Sequence, residues 1–145
     1  MKVKIKRLTE AATIPKYQTS GASGFDFHSL ENLSLRPGKT TLVKTGLSFE
    51  IPPGHELQVR PRSGTSLKTK LRISNSPGTI DSDFRGEVCI IIDHIGDMGD
   101  PEIKVNKGDR IAQGVIVPVV QGEFQLVDEL NESERNNGSF GSTGK

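Results

Sequence analysis

One stretch of the chain reads Asn75-Ser76-Pro77-Gly78-Thr79-Ile80-Asp81-Ser82-Asp83-Phe84-Arg85-Gly86. Asp81 and Asp83 stand two apart, so in an extended segment their carboxylates share one side. One could activate water as a general base while the other orients charge or holds a metal-bound water. The same composition also suits an Asx-rich hairpin, in which Asp and Asn make the turns. A second stretch, Pro61-Arg62-Ser63-Gly64-Thr65-Ser66, offers a guanidinium, hydroxyls and a glycine for close backbone approach. At a helix start it would suit an oligophosphate. It reads equally as a strand-to-helix turn with a solvated arginine. Asp26, between Phe25 and Phe27, is a lone carboxylate, and such residues are more often structural than metal-binding. Gly108-Asp109-Arg110-Ile111-Ala112-Gln113 opens a strand with a Gly-Asp turn and an Asp–Arg pair.

Residues 131–145 change character. They are Gly, Ser, Asn and charged residues around a single aromatic, Phe140. A Walker loop needs four residues between its glycines. Five separate Gly138 from Gly144, so that reading is rejected. Gly141, Ser142, Thr143 and Gly144 still supply closely spaced N–H and hydroxyl donors suited to phosphate oxygens, and Phe140 could fold onto a planar ligand. The alternative is an inert flexible end. His28, His55 and His94 are scattered without metal-ligand spacing and are assigned to loops or surfaces. Cys89 reads as a small buried hydrophobe. No Ser–His–acid or Cys–His arrangement can be argued.

These residues must be positioned by strands, because the apolar pattern has period two almost throughout. Residues 43–51 alternate as one half-buried strand that stops at Pro52-Pro53-Gly54. Leu57 and Val59 alternate with Gln58 and Arg60. Val3 and Ile5 alternate with lysines, the signature of a blunted edge strand. Residues 88–92 are apolar on both faces and predict a central strand. Residues 111–120 predict a strand pair, or one strand interrupted at Pro118, and residues 124–127 a last short strand. Only residues 63–70 could turn helical, with Ser63 as N-cap. The expected fold is therefore all-β, a sandwich or distorted barrel of short strands. The expected organisation is a β domain over residues 1–130 and a mobile C-terminal tail over 131–145.

Composition closes off other classes. The chain has 145 residues, enough for one domain with one core. Lys plus Arg is 19 and Asp plus Glu is 18, a net charge of +1, which argues against stable nucleic-acid binding. A few arginines in one cleft can still bind a small anion. No apolar run approaches the length of a membrane span. One cysteine makes no intrachain disulfide, and the basic start lacks the apolar stretch of a signal peptide. A cytoplasmic protein is expected. Gly at 16 and Pro at 8 suit turns between strands rather than a helical bundle.

Taken in order, five segments resemble the five motifs of the trimeric deoxyuridine triphosphatases (dUTPases). They are Ala22-Ser23-Gly24-Phe25-Asp26; Pro61-Arg62-Ser63-Gly64; the run from Gly78 through Asp81 and Phe84 to Val88; Gly108 to Gln113; and Arg135 to Gly144. The resemblance covers essentially the whole chain. It implies a jelly-roll-like homotrimer whose active sites lie between subunits and are closed by a neighbour's tail. It implies hydrolysis of dUTP to dUMP and pyrophosphate with Mg²⁺. On this resemblance Asp81 is the base that directs water onto the α-phosphorus. Asn75 and the backbone of Gly78, Thr79 and Ile80 read uracil, with Phe84 beneath the sugar. Arg62, Ser63, Gly64 and Gln113 hold phosphates, and Asp26 holds Mg²⁺ through water. Phe140 stacks on uracil while Arg135, Ser142 and Thr143 close on the γ-phosphate. Arg110 is expected to be a salt-bridge partner.

The chain departs from the family pattern at three places. Phe84 stands where the family usually has Tyr, which keeps the ring and loses the hydroxyl. Asn136 and Ser139 stand where the tail usually has Gly, and side chains there restrict the backbone. Thr65 replaces a usual hydrophobic residue. A dCTP deaminase shares the fold but needs a Ser-Ser-x-x-Arg arrangement that residues 62–68 lack. A nucleotide binder without turnover would not need Asp81, and a capsid-like jelly roll would need none of these polar segments.

Overall fold

The computed structural model describes residues 1–134 and 136–139. Among the described residues there are eleven strands and one short helix. The strands are β1 (Lys4–Arg7), β2 (Phe25–His28), β3 (Leu33–Leu35), β4 (Thr40–Lys44), β5 (Leu47–Glu50) and β6 (His55–Arg60). After α1 (Ser63–Lys68) come β7 (Leu71–Ile73), β8 (Gly78–Ile80), β9 (Cys89–His94), β10 (Ile103–Val105) and β11 (Arg110–Pro118). A four-stranded sheet runs β2-β11-β6-β8 and a three-stranded sheet runs β4-β9-β7. The pairs β1-β5 and β10-β3 complete the fold. Every pairing is antiparallel. This is the expected all-β, jelly-roll-like arrangement of short strands.

The core lies between the sheets. Phe25, Phe27 and Phe49 meet there with ring centres 5.4 to 6.1 Å apart. Leu57 and Val59 of β6 and Val88, Ile90 and Ile92 of the β9 region are buried against them. Gly114 of β11 is required by this packing. A β carbon there would lie 2.5 Å from the Phe25 ring and 2.8 Å from Phe27.

Several expectations need correction. Residues 43–51 form two strands, not one, because the chain turns at Gly46. That residue has φ +70°, and a β carbon on it would lie 2.9 Å from that of Ala12. The odd positions Val43, Thr45, Leu47, Phe49 and Ile51 all stay buried. The period therefore survives while the chain passes from pairing with β9 to pairing with β1. β9 is central in its sheet as expected, yet Cys89 and Ile91 on its outer face are only half-buried. Residues 111–120 give one strand that ends at Pro118. Residues 124–127 form no strand, and Phe124 and Leu126 are fully exposed, since no strand among the described residues pairs with them.

The N-cap of α1 is Arg62 in extended backbone, without a side-chain cap bond, rather than Ser63. All three histidines stand on strands, and His55 opens β6. His28 lies on β2, and His94 ends β9 with 2 % of its surface exposed. His94 Nδ1 accepts the Gly96 N–H at 3.1 Å, which leaves Nε2 to donate to the Pro101 carbonyl at 3.2 Å. Its ring thereby ties down the loop after β9.

Candidate active site

The four-stranded sheet presents the expected site residues at its two ends. At one end, register sets Asp26 of β2 beside Gln113 of β11, and Gln113 beside Arg60 of β6. Two residues past Arg60, Arg62 enters α1. Its Nε donates to Asp26 Oδ1 at 2.8 Å, and Arg110 Nη1 donates to Oδ2 at 3.4 Å. The Asp26 side chain is only 13 % exposed, so this is a semi-buried pair that fixes the Arg62 guanidinium. Gln113 Nε2 donates to the Pro61 carbonyl at 2.8 Å, clamping the turn that carries Arg62. Its Oε1 lies 2.9 Å from where a Gly24 side chain would begin, so Gly24 gives the amide its room. Ser63 and Gly64 are exposed beyond Arg62, and nothing lies within 4 Å of a β carbon built on Gly64. Both are free to meet a ligand.

His28 adjoins this cluster. Its Nδ1 is buried and has no hydrogen-bond partner among the described residues. Burial pushes the imidazole below its ordinary value. Asp26 opposes that fall, whereas Arg110 and Arg62 add to it.

The other end carries the hairpin. Among the described residues β8 is the edge strand of its sheet and pairs only with β6, which leaves its outer backbone edge open there. An open edge presents alternating N–H and C=O groups that can read a planar ligand. Gly78 is buried, and the Asn75 amide packs on it, with Nδ2 3.1 Å from the position of a β carbon. Ile80 faces Leu57, so Asp81 follows opposite Glu56. Asp81 and Asp83 line an open cleft of about 470 Å³ with His55, Glu56 and Val119. Thr79 and Phe84 are exposed, Phe84 by 43 %.

The turn after Asp81 is held from below. The Phe84 N–H reaches the Asp81 carbonyl at 3.2 Å, and Arg85 Nη1 donates to the Ser82 and Phe84 carbonyls at 2.7 and 2.9 Å. Ser48 Oγ donates to the Arg85 carbonyl at 2.7 Å, and Glu87 Oε1 accepts the Gly46 N–H at 2.8 Å. Sequence reasoning missed these supports. Arg85 and Glu87 lie inside the motif, so their place was visible. Ser48 had no signal, being one polar residue in an alternating strand.

Gly78 pairs with Val59, three residues before Arg62, but the hairpin runs away from that end toward Asp81. Asp81 lies opposite Glu56, six residues before Arg62 along an extended strand and turn, roughly 20 Å. One chain therefore brings Asp26, Arg62 and Gln113 together, and separately Asn75, Gly78, Thr79, Ile80, Asp81 and Phe84. Of the second set, Asp81 stands farthest along β6 from Arg62. Arg135, Phe140, Ser142 and Thr143 lie outside the described residues.

Among the described residues no group of three or more His, Cys, Asp or Glu side chains could hold a metal ion. Both Asp26 oxygens already accept from guanidinium groups. Each keeps a lone pair that can accept from a metal-bound water. The residues thus fit a magnesium ion held through water and a phosphate ligand, and do not fit one bound by the protein alone.

The family model for dUTPase matches residues 10–144. This chain belongs to the dUTPase family. It is 51 % identical, over the full length of both chains, to the deoxyuridine 5'-triphosphate nucleotidohydrolase of Nautilia profundicola. It is 46 % identical to that of Helicobacter pylori strain P12, covering 99 % of this chain and 97 % of the relative. Among solved dUTPases, that of Staphylococcus bacteriophage 80alpha with dUPNHPP superposes with a TM-score of 0.90 at 30 % identity, covering 99 % of each chain. A variant of the dUTPase of phage phi11 of S. aureus, described with a coordinated structural Mg(II) ion, gives a TM-score of 0.82 at 28 % identity. That match covers 89 % of this chain and 98 % of the phage chain. As in these dUTPases, the chain is built from strands, and no described helix is long and apolar enough to cross a membrane.

Proposed function

We propose that the chain hydrolyses dUTP to dUMP and pyrophosphate as a cytoplasmic homotrimer. Each site takes its phosphate-binding end from one copy and its hairpin from another. The reading rests on register: Asp81 follows Ile80, the partner of Leu57, and so stands six residues before Arg62, up to roughly 20 Å of strand and turn. That span exceeds a triphosphate, so the base and the arginine meet on one substrate only if a second copy supplies one of them. The exposed apolar residues Val120, Phe124, Leu126 and Leu130 support the same reading. Such a row is covered by a partner in a stable protein, and a heterologous contact repeated around an axis closes a ring.

In the assembled site Asn75 and the open edge of Gly78, Thr79 and Ile80 read uracil. Cytosine presents the inverse donor pattern and would leave these groups unpaired. The Phe84 ring stands beneath the sugar and collides with a 2′-hydroxyl. Arg62, Ser63, Gly64 and Gln113 hold the phosphate oxygens. Asp81, exposed in its cleft, accepts a proton from the attacking water as that water adds to the α-phosphorus. A magnesium ion, when bound with the substrate and held by Asp26 through water, supplies positive charge against the triphosphate. Residues 131–145 form the lid, with Phe140 on the base and Arg135, Ser142 and Thr143 on the γ-phosphate.

The test is pyrophosphate release with Mg²⁺ from dUTP, dCTP, dTTP and UTP in parallel, with ammonia assayed in the dCTP reaction. Release from dUTP alone is expected. Ammonia from dCTP would make the protein a deaminase, and no release from any nucleotide would leave a binder.

A further inference from the structure

We propose that Gly86 is a specificity-determining position: its missing side chain is the seat of the Phe84 ring and sets where that ring stands beneath the sugar. The inference rests on the reading of Phe84 as the residue beneath the deoxyribose. A β carbon built on Gly86 would lie 2.5 Å from Phe84 Cζ, 2.9 Å from Cε2 and 3.2 Å from Cε1. The phenyl ring is folded back so that its far edge rests on the Gly86 backbone. Gly86 has no positive φ, so its backbone accepts an L side chain, and the three atoms nearest to one all belong to the ring.

Which partner gives way is decided by the surroundings. Ser48 Oγ pins the carbonyl just before Gly86 at 2.7 Å. The Glu87 side chain just after it is pinned to the Gly46 N–H at 2.8 Å, and the Val88 N–H to the Leu47 carbonyl at 2.8 Å. The backbone at Gly86 is thus anchored to β5 on both sides. The Phe84 ring is 43 % exposed, so it is the group that moves. Restoring ordinary carbon–carbon contact near 3.5–4.0 Å requires it to shift by about 1 Å or more. A displacement of that size at a residue that reads a single hydroxyl by collision is enough to spoil the reading.

The experiment measures kcat/KM for dUTP and UTP in the full-length chain and in Phe84→Ala, Gly86→Ala and the double variant. Gly99→Ala serves as control, because nothing lies within 4 Å of a β carbon there. Gly86→Ala is expected to lower the dUTP-over-UTP preference by about tenfold or more, and Phe84→Ala by at least as much. The double variant should match Phe84→Ala alone, since without the ring the new methyl displaces nothing. Gly99→Ala should leave the preference unchanged. An unchanged preference in Phe84→Ala would overturn the reading of Phe84 itself and the inference with it. Preference lost in Phe84→Ala but kept in Gly86→Ala would overturn the inference alone, as would losses that multiply in the double variant. If Gly86→Ala does not fold, recovery of a cooperative melt in the double variant supports the ring-seat assignment. Failure of both to fold would mean that the glycine serves the backbone, and would overturn it.

Discussion

Asp81 and Asp83 are two apart in sequence and both are exposed in one cleft, yet only Asp81 directly follows the β8 edge strand where a base could be read. Asp81→Asn should preserve folding and binding of a non-hydrolysable dUTP analogue while lowering turnover by roughly 10²–10⁴. Calorimetric binding beside a turnover assay checks this, and unchanged turnover would remove Asp81 from the mechanism. Asp26 is a different kind of carboxylate. Its two oxygens are engaged by Arg62 and Arg110, so removing its charge leaves the part-buried Arg62 and the exposed Arg110 without their carboxylate. Asp26→Asn should therefore weaken both Mg²⁺-dependent substrate binding and thermal stability, whereas Asp81→Asn touches neither. Melting curves of the two variants separate the roles.

At the scale of elements, paired strands are tied by carboxylates. Lys4 Nζ meets Glu50 at 2.8 Å across β1–β5, and Thr40 Oγ1 donates to Asp93 at 2.6 Å across β4–β9. The Ser34 hydroxyl of β3 donates to Glu102, just before β10. The Lys4 ammonium holds the Glu50 carboxyl below its usual value. Hydroxyl donors do the same for Asp93, through Thr40 and Ser74, and for Glu102, through Ser34. A carboxylate lowered in the folded state binds fewer protons there than in the unfolded chain. The stability it lends is present above its unfolded pKa and is lost as pH falls through the folded one. The denaturation midpoint should thus fall below about pH 4.3. Removing one tie, as in Glu102→Gln, should flatten part of that slope, and a slope unchanged in that variant would exclude the tie as a source. Gly114 makes the complementary point about packing. Gly114→Ala drives a methyl into the Phe25 and Phe27 rings and should cost about 1–3 kcal/mol in chemical denaturation.

At the scale of the whole molecule, Asp81 follows the strand residue paired with Leu57, whereas Arg62 lies just past the other end of β6. If a site takes its hairpin from one copy and its arginine from another, two inactive variants can complement each other. Chains carrying Asp81→Asn and chains carrying Arg62→Ala, refolded together in equal amounts, should regain about one quarter of full activity, since half the hairpins and half the arginine ends stay intact and pair at random. Each variant alone should stay near background. A mixture as inactive as its components, despite verified mixed assemblies, would place each site within one chain.

The all-β class and the order of the motifs were legible in the sequence. Alternation of Leu57 and Val59, or of the odd positions from Val43 to Ile51, reports which side of a strand is buried, since side chains on a strand alternate whatever the strand pairs with. Residue types such as Arg62, Asp81 and Asn75 likewise declare their chemistry locally. Alternation says nothing about where a strand turns from one sheet to the next, so the break at Gly46 was invisible until its left-handed φ was seen. It misjudged residues 124–127, whose apolar pattern fits a strand that has no partner among the described residues. Only the tertiary structure put Ser48 under the Arg85 carbonyl, buried His94 against Pro101, and set the Phe84 ring on Gly86. These contacts join residues whose meeting depends on the exact register and turn between elements, which local propensity does not encode.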